Sequence, residues 1–257
     1  MIRKSGTKQK PIVKKGIPSS SEKMPVIDGE NAMSFQELCE LRKSGQGLIM
    51  VGDWEPANNI VIEGLQLRNA NNSNKLLMGK ESIAYANNAA GIFVNMGVNV
   101  IVRKCVIHSC CMGIITCYYP ELDDFVLSSS YIYDNGDFTG ERFGHNVYLC
   151  ARTQLIEYNR FGELHSDGNT IKDRSQQTVI RYNWIEGGMG HQIDLVEHKE
   201  YQKANAFVYG NVILQGRKVK NPKMVFYGGD VGGGRGDCLY FFNNTMHPKT
   251  RTPTPLS

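Results

Sequence analysis

QLIEYNRF (154–161), TVIRYNWI (178–185), AFVYGNVI (206–213) and LYFFNNTM (239–246) are four versions of one short pattern. Apolar residues alternate, a small or polar residue follows, one variable residue intervenes, and an apolar residue closes the motif. Looser copies lie upstream as IVIEGLQL (60–67), VIVRKCVI (100–107) and FVLSSSYI (125–132). Aligned, the key position holds Leu65, Cys105, Ser130, Asn159, Asn183, Asn211 and Asn244, at spacings of 40, 25, 29, 24, 28 and 33 residues. A second apolar stretch precedes most copies: GIFVN (91–95), GIITC (113–117), NVYLC (146–150), TIKDR (170–174), QIDLV (192–196) and MVFYG (224–228). A unit with at least two strands in about 25–30 residues is too short for a propeller blade, and no position shows the fixed leucine of a leucine-rich repeat.

Such a unit fits one coil of a right-handed parallel β-helix, because a coil buries its apolar face only when neighbours stack on it in parallel. The expected fold is all-β, a single solenoid of about seven coils. Asn159, Asn183, Asn211 and Asn244 then fall in the same turn of successive coils, where an amide ladder satisfies groups that would be costly to bury alone. They read as fold residues. The whole chain, 1–257, reads as one domain: a basic segment and first strand at 1–30, a short helical insert at 31–50, coils over 51–247 and a disordered tail at 248–257. The insert rests on Ser34-x-x-Glu37 ahead of Leu38 and Leu41, a capping box. Residues 68–90 read as a surface loop.

Composition agrees with a turn-rich globular chain, with 41% hydrophobic residues and 27 glycines. The net charge of +4 is uneven, since residues 1–23 carry seven basic side chains against the single acid Glu22. No nucleic-acid-binding motif accompanies that run, so it reads as a solvated end and no nucleic acid is expected. Seven cysteines without CxxC spacing give neither a disulfide framework nor a zinc site. No apolar stretch has the length of a membrane span, and no signal peptide is legible at the N-terminus.

Side chains of a strand alternate, so the second strand set sorts by period two. With Ile92, Ile114, Val147, Ile171, Ile193 and Val225 inward, the outward column becomes Phe93, Ile115, Tyr148, Lys172, Asp194 and Phe226. Two residues on, a further outward column holds Asn95, Cys117, Cys150, Arg174, Val196 and Gly228. Tyr148, Lys172, Asp194 and Phe226 then form a line of about 15 Å at the usual strand spacing. Aromatic rings beside charged groups suit a sugar polymer, so an acidic polysaccharide is the expected partner. His145, His165 and His191 lie close to the same strands, and Asp230 follows the last of them.

The run HNVYLC, EYNRFG, DGNTIKDRSQQTVIRYNWIEGG, QIDLVE, VYGNVI and YGGD resembles bacterial right-handed β-helix proteins of the pectate-lyase-like superfamily over 59–247. A more distant likeness is to family nine pectate lyases. Asp167, Gly168 and Lys172 match one segment of that pattern, Asp194 and Leu195 the end of a second, and Gly228 and Gly229 the end of a third. The likeness implies calcium held by Asp167 and Asp194. Gly190 and His191 stand where the pattern has paired aspartates, and Phe226 where it has the lysine base. It therefore implies a polysaccharide lyase whose β-elimination uses other groups: Lys172 or His145 as base, Arg174 as carboxylate clamp, Tyr148 as acid, with Asp194, His191, Phe226 and Asp230 binding the glycan. A hydrolase would need two carboxylates, Asp194 with Asp230 or with the inward-facing Asp173. A carbohydrate-binding or cell-surface β-helix without catalysis is the competing expectation. The likeness also implies an exported protein with further coils and a shortened reading here.

Overall fold

The computed structural model describes residues 1–19, 23–34, 47–52, 55–78, 80–116, 122–140, 144–201, 203–215, 219–221, 223–230 and 232–248. Three long sheets run its length. The first holds eight strands from Ile12–Lys15 to Leu239–Phe242, the second eight from Val26–Asp28 to Thr245–His247, and the third seven from Gly47–Val51 to Val225–Tyr227. Within each, every strand but the two at its ends pairs in parallel with its counterparts in the coils on either side. The chain is thus a parallel β-helix, with the apolar interior between the sheets.

Each copy of the repeat motif is two strands and not one. TVIRYNWI divides into Gln177–Arg181 of the first sheet and Trp184–Glu186 of the second, and QLIEYNRF divides likewise. The corner between them is made by one residue with positive φ. That residue is Gly64, Lys104, Ser129, Tyr158, Tyr182, Gly210 or Asn243 in successive coils, at φ between 50° and 70°. Left-handed geometry is strained for most side chains, so the corner is held by the hydrogen bonds of the residue immediately after it.

In the later coils that next residue is an asparagine, and together these asparagines build a ladder. The backbone N–H and Nδ2 of Asn159 both donate to Oδ1 of Asn183, those of Asn183 to Asn211, and those of Asn211 to Asn244, all at 2.9–3.0 Å. Each Nδ2 also donates to a main-chain carbonyl of the preceding coil, as Asn183 does to Ile156. Upstream the same position continues through Ser130, whose N–H donates to Asn159, and Cys105, whose N–H donates to Ser130. Inward columns such as Leu67, Ile107, Ile132, Phe161, Ile185 and Ile213 are fully buried. Each such side chain contributes about 1.5–3 kcal/mol relative to exposure.

Three expectations need correction. Residues 68–90 are not merely a loop: Lys75–Met78 and Glu81–Ala84 form an antiparallel hairpin, and Leu76, Tyr85 and Ala89 make a small core with Ala70 and Cys110. Ser34 belongs to a strand, Met33–Ser34, which pairs with Leu77–Met78, and Gly47–Val51 is already a coil strand. The rest of the expected helix, residues 35–46, and the tail from 249 lie outside the described residues. Cys150, expected on the outer face, is buried at 1% exposure; Cys117 lies outside the described residues. No helix among the described residues is long and apolar enough to cross a membrane.

Candidate functional site

The third sheet carries the row. Val147, Ile171, Ile193 and Val225 are in register, as are Tyr148, Lys172, Asp194 and Phe226 on the opposite side of the same strands. A groove of about 870 Å³ lies over the Lys172, Asp194 and Phe226 part of this row; Tyr148 and Arg174 are not among its lining residues. His145, Lys172, His191, Asp194, Phe226 and Asp230 all line it, as does Asp167.

The row is not an open shelf, because the glycine-rich residues 228–230 and 232–235 fold back over its end. Lys172 Nζ donates to Asp194 at 2.9 Å and to Asp230 at 2.7 Å. Arg174 Nη2 reaches both oxygens of Asp230 at 2.7 and 2.6 Å, its Nε donates to the Tyr148 hydroxyl at 2.8 Å, and its Nη1 to the Glu197 carbonyl at 2.5 Å. Asp194 also accepts from Asn169 Nδ2 at 2.5 Å. The column expected to face solvent beside the row is therefore covered. Arg174 is 4% exposed, and Asp194 in the row itself only 3%. Asp230 is the most exposed of the group, its side chain at 35%. Burial pushes the Asp230 carboxyl up, but hydrogen bonds from Arg174 and Lys172 outweigh it, and its pKa lies below the ordinary carboxylate value.

His145 sits at the other end of the groove, edge-on to Tyr148 with ring centroids 5.6 Å apart. Its Nδ1 accepts the Asn169 N–H at 2.9 Å. Burial first, then the Lys172 charge, lower its pKa to about 3. A neutral ring accepting at Nδ1 carries its proton on Nε2, so this side chain presents a donor. His191 stacks on Phe226 at 5.2 Å and 12°, and Lys223 Nζ lies 5.1 Å from the Phe226 centroid. His165 is not part of the groove: it stacks on Phe138 and pairs with Asp134 at 3.5 Å.

Sequence reasoning missed five groups here. Asn169 ties His145 to Asp194, and Lys220 forms an ion pair with Asp167. Lys223 flanks Phe226, while the Glu197 carboxylate accepts the N–H of Asp230 at 2.8 Å and of Gly233 at 3.5 Å. Arg235 runs inward to a fully buried pairing with Asp173 at 3.1 Å and donates to the Ser175 carbonyl at 2.6 Å. Asn169 had a local signal, following Asp167-Gly168. The other four had none, since they lie in loops or beyond the repeat.

The donor set does not fit calcium, which takes six to eight oxygens. Asp167 and Asp194 are each committed to a lysine ammonium. Among the described residues no group of three or more His, Cys, Asp or Glu side chains is gathered to hold a metal ion.

A family model described as right-handed β-helix region matches residues 46–245. No curated protein matches the chain.

Proposed function

The chain belongs to the right-handed β-helix family, and from that premise we propose that the groove over its third sheet binds an acidic polysaccharide, with β-elimination as the reaction its groups can serve. The observation that carries this is the in-register row of Tyr148, Lys172, Asp194 and Phe226, the last three lining a groove with cationic and aromatic walls. Arg174, whose guanidinium reaches the Asp230 carboxylate at the edge of the groove, is the clamp for a uronate carboxylate, which leaves Lys172 as the base. Neutralising that carboxylate acidifies the C5 proton. Lys172, on releasing its own proton, removes the C5 proton; the C–H electron pair becomes the C4–C5 double bond, and the C4–O bond breaks with a proton from the Tyr148 hydroxyl. His145, with its proton on Nε2, is a hydrogen-bond donor to the sugar and not the base.

Hydrolysis by Asp194 and Asp230 is disfavoured, because a general acid needs a raised pKa and that of Asp230 is lowered. One observation favours binding without cleavage: the Lys172 ammonium already donates to two carboxylates, and acting as a base means losing both pairs. Incubation with pectate, alginate and a glycosaminoglycan, followed by ultraviolet absorbance of unsaturated uronates and by affinity electrophoresis, separates the readings. Unsaturated product that disappears in Lys172→Ala supports elimination. Retardation without product supports binding alone, and neither result with any of the three polymers sinks the proposal.

A further inference from the structure

We propose that Asp230 is a built-in carboxylate that fills the uronate subsite formed by Arg174 and Lys172, and that it turns aside when an acidic sugar enters; this rests on the reading of the groove as a glycan site. An aspartate carboxylate and a uronate carboxylate present the same two oxygens to a guanidinium. Asp230 receives what such a ligand would receive: both oxygens on Arg174 Nη2 and one on Lys172 Nζ.

Charge balance makes the two occupants mutually exclusive. Around the subsite, Arg174 and Lys172 already face three carboxylates, Asp194, Asp230 and Glu197, so a uronate entering beside Asp230 would add a further negative charge with no partner in a largely buried cluster. Asp194 cannot be the one that yields. It is 3% exposed and is held by Asn169 as well as Lys172. Asp230 can, because its side chain is exposed at 35% and its carboxylate meets solvent on turning outward. The main chain need not move. The Asp230 N–H is pinned to the Glu197 carboxylate, and Arg235 anchors the segment in the interior, so rotation about the Asp230 side-chain bonds is enough. With the carboxylate turned out, the Arg174 and Lys172 donors that held it are left without those acceptors, and an entering carboxylate restores the bonds one for one where a neutral hexose does not.

The test is calorimetric titration of wild type, Asp230→Ala and Asp230→Asn with tetragalacturonate, beside thermal melts in galacturonate and in galactose. The expected result is binding about tenfold tighter in both variants, the gain when the open state is about a tenth of the wild-type population. Galacturonate but not galactose should raise the melting temperature of Asp230→Ala, by refilling the vacated pairings. Binding by the variants alone, with none by wild type, also supports the proposal. Wild-type binding that is unchanged or weakened in Asp230→Asn overturns it and leaves the glycan reading standing. Should none of the three bind, and galacturonate shift no melt, the carboxylate subsite is overturned, while the wider glycan reading falls only if alginate and the glycosaminoglycan fail as well. If Asp230→Ala does not fold, Asp230→Asn decides alone, since its amide still accepts from Arg174.

Discussion

His145 shows how one buried side chain sets a pH response. Its pKa is about 3 in the fold and near 6.5 in an unfolded chain, with Lys172, Arg174 and Asp230 the charges facing it and Asn169 its partner. Between those values the unfolded chain binds a proton there and the folded chain does not. Stability therefore falls as pH drops below about 6.5, by up to about 1.4 kcal/mol per pH unit. His145→Asn, whose side-chain oxygen can still accept the Asn169 N–H, should flatten that slope, read as urea midpoints at pH 7, 6 and 5. A slope equal to wild type would show that His145 takes no part. The ladder offers a second test at the same scale. Asn183→Leu strands the Asn159 donors and the Ile156 carbonyl in the interior, and each stranded group costs about 1–3 kcal/mol. A loss of stability in chemical denaturation of less than about 1 kcal/mol would mean the ladder is decorative.

Among elements, the glycine-rich residues 228–230 and 232–235 decide what the groove can do, and they were the least legible. The register of the third sheet could be read because the inward column is apolar and period two admits one choice: a slip by one residue would bury Lys172 and expose Ile171. The division of each motif into two strands was hidden because a single residue makes the corner, and Tyr158 or Tyr182 does not advertise positive φ as glycine does. A glycine-rich loop tells nothing of where it lands. The landing point is set by Arg235 against Asp173, a contact between residues 62 positions apart with both side chains fully buried. Removing one partner of a buried ion pair leaves a bare charge and costs about 3–5 kcal/mol. Arg235→Met should lose about that much in chemical denaturation and should expose Arg174 to carboxylate probes. If stability holds, the staple does not organise the loop.

For the molecule as a whole, stability comes from contact between neighbouring coils alone. The central coils have partners on both sides, whereas among the described residues the strand Leu239–Phe242 has one, and Phe241 and Met246, which continue inward columns, are 37% and 42% exposed. Amide hydrogen exchange should be slowest over about 147–185 and faster toward both ends, measured by mass spectrometry of peptides. Uniform protection along the chain would contradict a nearest-neighbour stack. The asparagine column adds a property that no single coil has. The Nδ2 of Asn159, Asn183 and Asn211 each turn one hydrogen back to a carbonyl and send the other on toward Asn244, so the amide-to-amide bonds all point one way and polarise one another. The thread behaves like a miniature electret embedded in the protein wall. A coil laid upon Asn244 is welcomed only if it offers an oxygen at that corner, and one presenting a hydrocarbon there breaks the circuit, so the polarity of the wire dictates which sequences can extend it.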